Sequence, residues 1–135
     1  MKKRFFAFVL LLSLLASLCA CGKYVSSYSA IGLVRSNTSH SCKASFHKLD
    51  GELAFKIKKT DTDGEGDISY TVSADKGEIR LYYDIYGTKE KLAEVKAGES
   101  VTSRGGYIES GKEVYIIIEA ADAGGKVTVE LNNND

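Results

Sequence analysis

Ile68-Ser-Tyr-Thr-Val-Ser-Ala74 and Ile79-Arg-Leu-Tyr-Tyr-Asp-Ile85 place an apolar or aromatic side chain at every second position. Between them stand Ser69, Thr71 and Ser73, then Arg80, Tyr82 and Asp84. Side chains of an extended strand point alternately to its two faces, so period two marks strands with one dry face and one wet face. The same pattern recurs on either side. Leu53, Phe55 and Ile57 alternate with Ala54, Lys56 and Lys58, and Val127, Val129 and Leu131 alternate with Thr128 and Glu130. Val114-Tyr-Ile-Ile-Ile118 is apolar on both faces, which fits a central strand covered on both sides or one whose outer face meets a partner.

Turn-forming residues punctuate these runs: Asp50-Gly51, Asp63-Gly-Glu-Gly66, Asp75-Lys-Gly77, Tyr86-Gly-Thr88, Ala97-Gly98, Arg104-Gly-Gly106, Ser110-Gly111 and Ala123-Gly-Gly125. Short strands broken this often predict an all-β fold, a single antiparallel β-sandwich over residues 28–133. Residues 89–95 read as a strand completing a hairpin with 78–86. The expected core is Leu53, Phe55, Ile57, Ile68, Tyr70, Val72, Ile79, Leu81, Tyr83, Val114, Ile116, Ile118, Val127 and Val129.

The front of the chain is of another kind. Met1-Lys-Lys-Arg4 is a positive start, and residues 5–18 run apolar, broken only by Ser13 and Ser17. A charged start, a short apolar run and small residues after it are the marks of a secretory signal. A spanning helix needs about 20 apolar residues, and this run is shorter. The run ends in Leu18-Cys-Ala-Cys-Gly22, which resembles the bacterial lipobox. That resemblance implies a diacylglycerol on the Cys21 thiol and cleavage after Ala20. It divides the chain into a signal peptide (1–20), a lipidated tether (21–27) and the sandwich. It also places the mature protein on the cell membrane, lipid-anchored and facing outward. Two acyl chains hold a protein stably where one is marginal.

Removing the first 20 of 135 residues leaves 115, enough for one domain with a core and too few for two. The whole chain balances 18 basic against 18 acidic residues, and Lys2, Lys3 and Arg4 leave with the signal, so the mature part is at −3. That weakly acidic balance carries no footprint for nucleic acid. Of three cysteines only Cys42 is left over, so there is no disulfide framework.

The order of motifs carries a wider resemblance. It runs from the lipobox through Gly32-Leu-Val-Arg-Ser-Asn37, Gly77-Glu-Ile-Arg-Leu-Tyr-Tyr-Asp84 and Ala97-Gly-Glu99. It continues with Tyr107-Ile-Glu-Ser-Gly-Lys112 and the closing Gly125-Lys-Val-Thr-Val-Glu-Leu131. This resembles small lipoproteins of Gram-positive bacteria whose single domain is a jelly-roll-like β-sandwich, a shape shared with carbohydrate-binding modules. The group has no assigned activity, so the resemblance implies a fold and a location and no reaction.

Two sets of residues are candidates for binding. Asp61, Asp63, Glu65 and Asp67 stand at alternate positions with Gly64 and Gly66 between, matching the first eight positions of an EF-hand-type calcium loop. Calcium wants several hard oxygens around a tight turn. The twelfth position is Val72 rather than glutamate and the flanks read as strands, so a solvated acidic turn is the competing reading. The second set is Tyr82, Tyr86 and Tyr115, on strand faces opposite the expected core. Exposed tyrosines stack on the apolar faces of sugar rings while their hydroxyls stay wet; tyrosine is also simply a good strand former. His40, Cys42 and His47 lack the tight ligand pairs of zinc sites. No nucleophile elbow or phosphate loop is present, so no enzyme is expected. The functional expectation is a surface binding module for glycan or cell-wall polymer, with a structural lipoprotein docking on an envelope protein complex as the alternative.

Overall fold

The computed structural model describes residues 24–58, 65–109 and 112–133. They form seven antiparallel strands: β1 (Ser27–Ile31), β2 (Val34–Asn37), β3 (Ser41–Lys58), β4 (Glu65–Asp84), β5 (Glu90–Lys96), β6 (Ser100–Glu109) and β7 (Glu113–Asn133). The order across the sheet is β1-β3-β7-β4-β5, with β2 also on β3 and β6 also on β4. The expected all-β antiparallel fold is the observed one. No helix among the described residues is long and apolar enough to cross a membrane.

Four of the expected turns are not turns. Arg104-Gly-Gly106 lies inside β6. Asp50-Gly51, Asp75-Lys-Gly77 and Ala123-Gly-Gly125 lie inside β3, β4 and β7, each of which runs on in one direction for 18 to 21 residues. The ladder slips register at one level in all three strands, between Phe46 and Gly51 of β3 and between Ala74 and Glu78 of β4, opposite residues 120–125 of β7. An inserted residue bends a strand and sharpens its twist. Bulges aligned across three neighbouring strands bend the whole sheet along a line. The outer strands change over at the same level. β1 passes to β2 through Gly32-Leu33, and β5 passes to β6 through residues 97–99, where Ala74 exchanges backbone hydrogen bonds with Gly98 (2.8 Å) and Glu99 (3.0 Å). The two halves of the bent sheet, β2-β3-β7-β4-β6 and β1-β3-β7-β4-β5, are the layers of the sandwich.

The numbering of the core records the bend. On β3 the buried positions are Cys42, Ala44 and Phe46 before it and Leu49, Leu53, Phe55 and Ile57 after it. On β4 they are Ile68, Tyr70, Val72 and Ala74, then Ile79 and Leu81. A one-residue slip exchanges the two faces of a strand, so the extra residue changes parity while the apolar side chains stay on the inner face. Every expected core residue is buried except Tyr83, which is half-buried. The doubly apolar strand is central, as one of its two readings required: β7 has β3 and β4 as neighbours. Ile117, on its outer face, is buried between Ala54 and Tyr82, its partners in register.

Candidate functional site

β7 and β4 carry Tyr115 and Tyr82 to the outer face of the second layer, where Tyr115 lies opposite Asp84 and Tyr82 opposite Ile117. Both ring faces are already engaged. The Tyr24 ring packs on Tyr115 at 5.5 Å between centroids, tilted by 56°. The Lys89 ammonium sits 4.4 Å from the centre of the Tyr82 ring and pairs with Glu119. The Tyr24 hydroxyl donates to Asp84 Oδ2 at 2.6 Å, and the Gly87 amide donates to Asp84 Oδ1 at 2.8 Å. Asp84 is wholly buried, which a carboxylate tolerates only when hydrogen-bonded. Burial, then the bond to Asp84 and its charge, push the Tyr24 phenol up to about 12. This face is a closed cluster that fastens the start of the domain to its central strands.

Tyr86 lies elsewhere. The chain leaves β4 after Asp84, and Tyr86 stands 61% exposed beyond it. Partial desolvation first, then its interaction with the Glu109 carboxylate of β6, raise its pKa. Tyr107, also on β6, is 45% exposed. A hydrogen bond to Glu65 first, then desolvation and the charges of Glu65 and Glu109, push its phenol up to about 12. Glu65 and Glu109 are direct partners across the β4–β6 ladder. Like charges directly opposite destabilise a sheet, and here a tyrosine hydroxyl stands near each carboxylate. Beside them Tyr83 donates to Glu90 at 2.6 Å, and Gly106 gives its ring room, since a Cβ there would meet Tyr83 Cζ at 3.0 Å. The result is an exposed end of the sandwich bearing two tyrosine rings and two carboxylates.

The acidic run is split. Asp61 and Asp63 lie outside the described residues, as does Cys21. Asp67 is held by Arg104, whose Nη2 and Nε reach its two oxygens at 2.9 and 3.0 Å, and by Asn132 at 3.2 Å. The Arg104 bond above all keeps the Asp67 carboxyl below its usual range. Glu65 belongs instead to the tyrosine end. No group of three His, Cys, Asp or Glu suited to a metal ion occurs among the described residues. Cys42 is 2% exposed, and burial pushes its thiol up to about 12, partly opposed by Arg35. It is a core residue of β3.

Of the tyrosines expected to bind, Tyr82 and Tyr115 are brought to one face and Tyr86 is sent to another. Tyr24, Tyr107 and Glu109 escaped the sequence reading. Tyr107-Ile-Glu109 did carry a signal: with Ile108 buried, the flanking pair must share the outer face.

No protein-family model matches the chain, and no curated protein matches it. Among solved structures, a mutant family 29 carbohydrate-binding module complexed with mannohexaose overlaps at a TM-score of 0.42 with 12% identity, covering 82% of this chain and 94% of that one. A family 61 module in complex with β-1,4-galactotriose overlaps at 0.44 with 18% identity, covering 85% and 74%. The C-terminal family 6 module of a marine laminarinase from Zobellia galactanivorans overlaps at 0.40 with 9% identity, covering 77% and 90%. Overlaps at this level assign no role to any residue of this chain.

Proposed function

We propose that this chain is an outward-facing lipoprotein, anchored through diacylglycerol on Cys21, whose sandwich binds a glycan or cell-wall polymer at the Tyr86–Tyr107 end. The observation that supports the site is the pairing of two exposed tyrosines with Glu65 and Glu109. An aromatic ring takes the apolar face of a sugar. A carboxylate beside it accepts the sugar's hydroxyls in charge-assisted hydrogen bonds, worth about twice a neutral one. The Tyr82–Tyr115 face offers neither, because Lys89 and Tyr24 already occupy the rings. Docking of a partner on strand 114–118 loses its basis as well, since Ile117 is covered by its own chain.

Binding of the full chain to a glycan and cell-wall polymer array tests this reading, run with calcium and again with chelator. Specific binding lost in Tyr86→Ala and Tyr107→Ala, and kept in Tyr82→Ala, is expected. A blank array in both conditions overturns it for the polymers tried. Loss of binding in chelator alone shows that a metal ion takes part. The anchor is checked separately, by the mass of an acylated N-terminal Cys21.

A further inference from the structure

The Tyr86–Tyr107 end holds more negative charge than a neutral sugar needs. Glu65 and Glu109 are partners across the β4–β6 ladder, Glu65 exposed and Glu109 half-buried. Side chains so placed stand about 5 Å apart at Cβ, and like charges at that range repel. Among the described residues no lysine or arginine makes an ion pair with either carboxylate. Arg104, on the strand of Glu109, is committed to Asp67, Lys56 to Glu113 and Lys89 to Glu119. Lys112 enters through its backbone amide, which donates to the Glu109 carbonyl at 3.4 Å. Glu90 adds a third carboxylate nearby, where it accepts the Tyr83 hydroxyl.

The opposed pair is a standing cost that a cation on the ligand would remove. Two kinds of cation compete for it. A calcium ion takes about six to eight oxygens, and the described residues offer no group of three His, Cys, Asp or Glu to hold a metal. An ammonium group needs fewer oxygens, and it is attracted to the face of an aromatic ring as well. The rings are what separate this pair from an ordinary acidic patch. Tyr86 and Tyr107 are both exposed, and Tyr107 lies within the field of Glu65, Glu109 and the Tyr86 phenol together. Rings that take the apolar face of a sugar beside carboxylates that take a positive charge call for both features on one ligand. An amino sugar has them when its nitrogen is not acylated.

We infer that this end selects a glycan bearing free ammonium groups, a de-N-acetylated amino sugar, with Glu65 and Glu109 taking the charge while Tyr86 and Tyr107 take the ring. This rests on the glycan reading of the proposed function and names the chemical class of its ligand.

The test titrates the full chain, in detergent, with a β-1,4-linked glucosamine hexamer and with its fully N-acetylated counterpart. At about pH 6 the amines are protonated and the carboxylates ionised. The two ligands share ring and linkage and differ in charge, so the first comparison needs no variant. Tighter binding of the free-amine hexamer by about five- to tenfold is expected, the margin of a hydrogen bond to a charged group over a neutral one. The preference should vanish when Glu65→Gln and Glu109→Gln are combined, with an unchanged melting curve and the N-acetylated hexamer still bound. Equal affinity for the two hexamers overturns the ammonium and leaves the glycan reading standing. Binding of neither overturns the inference, and the glycan reading then stands or falls on the array. A preference that survives the double substitution places the charge recognition elsewhere on the domain and overturns the site. Oligolysine that displaces the glucosamine hexamer at equal concentration assigns the end to a cationic protein segment and overturns the sugar.

Discussion

Gly77 and Gly98 make a matched pair for measuring what holds the bend. Both have positive φ, +69° and +84°. An L-residue in that region costs about 1–2 kcal/mol. Replacing glycine also stiffens the unfolded chain, which returns about 0.4–1 kcal/mol. At Gly98 nothing lies within 4 Å of a new Cβ, so Gly98→Ala should cost only the difference, about 0.5–1 kcal/mol. At Gly77 the new Cβ would stand 2.4 Å from both Ala121 O and Asp122 O. Those carbonyls belong to β7 at the bend, so relief requires the two strands to part where the sheet folds over. Overpacking of this kind adds about 1–3 kcal/mol, bringing Gly77→Ala to about 2–4 kcal/mol. With a urea slope of about 1.5 kcal/mol per molar, the two variants should differ by about 1–2 M in midpoint. Urea unfolding of the unlipidated mature chain measures it. Equal midpoints would mean that the close approach of β4 to β7 contributes nothing, and the account of the bend would fall.

Tyr24→Phe removes one of two described bonds to a buried carboxylate. It should cost about 1–2 kcal/mol and lower the melting temperature by roughly 4–8 °C per kcal/mol. The Asp67 carboxyl is depressed by Arg104, so its contribution is present above the ordinary value of 3.8 and is lost as pH falls through its lower folded value. An acid titration of stability should show a decline there that Asp67→Asn lacks, below about 1 kcal/mol because the pair lies at the surface. Cys42 should ignore a thiol reagent in the native protein and react at once in denaturant, since burial holds it as the thiol. Rapid native labelling would show that β3 is not packed as described.

Alternation read the strands well because each has one buried face, and period two needs no knowledge of partners. It failed at the ends of that logic. Residues 41–49 look polar, with Ser41, Lys43, Ser45, His47 and Lys48 outside, so Cys42, Ala44, Phe46 and Leu49 were missed as an inner face. Asp50-Gly51, Asp75-Lys-Gly77 and Ala123-Gly-Gly125 have turn chemistry, and local sequence does not distinguish a reversal from a bulge. What decides is that all three fall at the same level of neighbouring strands, and that depends on register across the sheet. The aromatic site was half legible for a similar reason. Strand parity put Tyr82 and Tyr115 outside, as they are. Parity says nothing about what covers an outer face, and here Lys89 and Tyr24 arrive from outside those strands. Tyr86 and Glu65 carried no sign that they would meet Glu109 and Tyr107, because β6 joins them from some 40 residues away in the chain from Glu65.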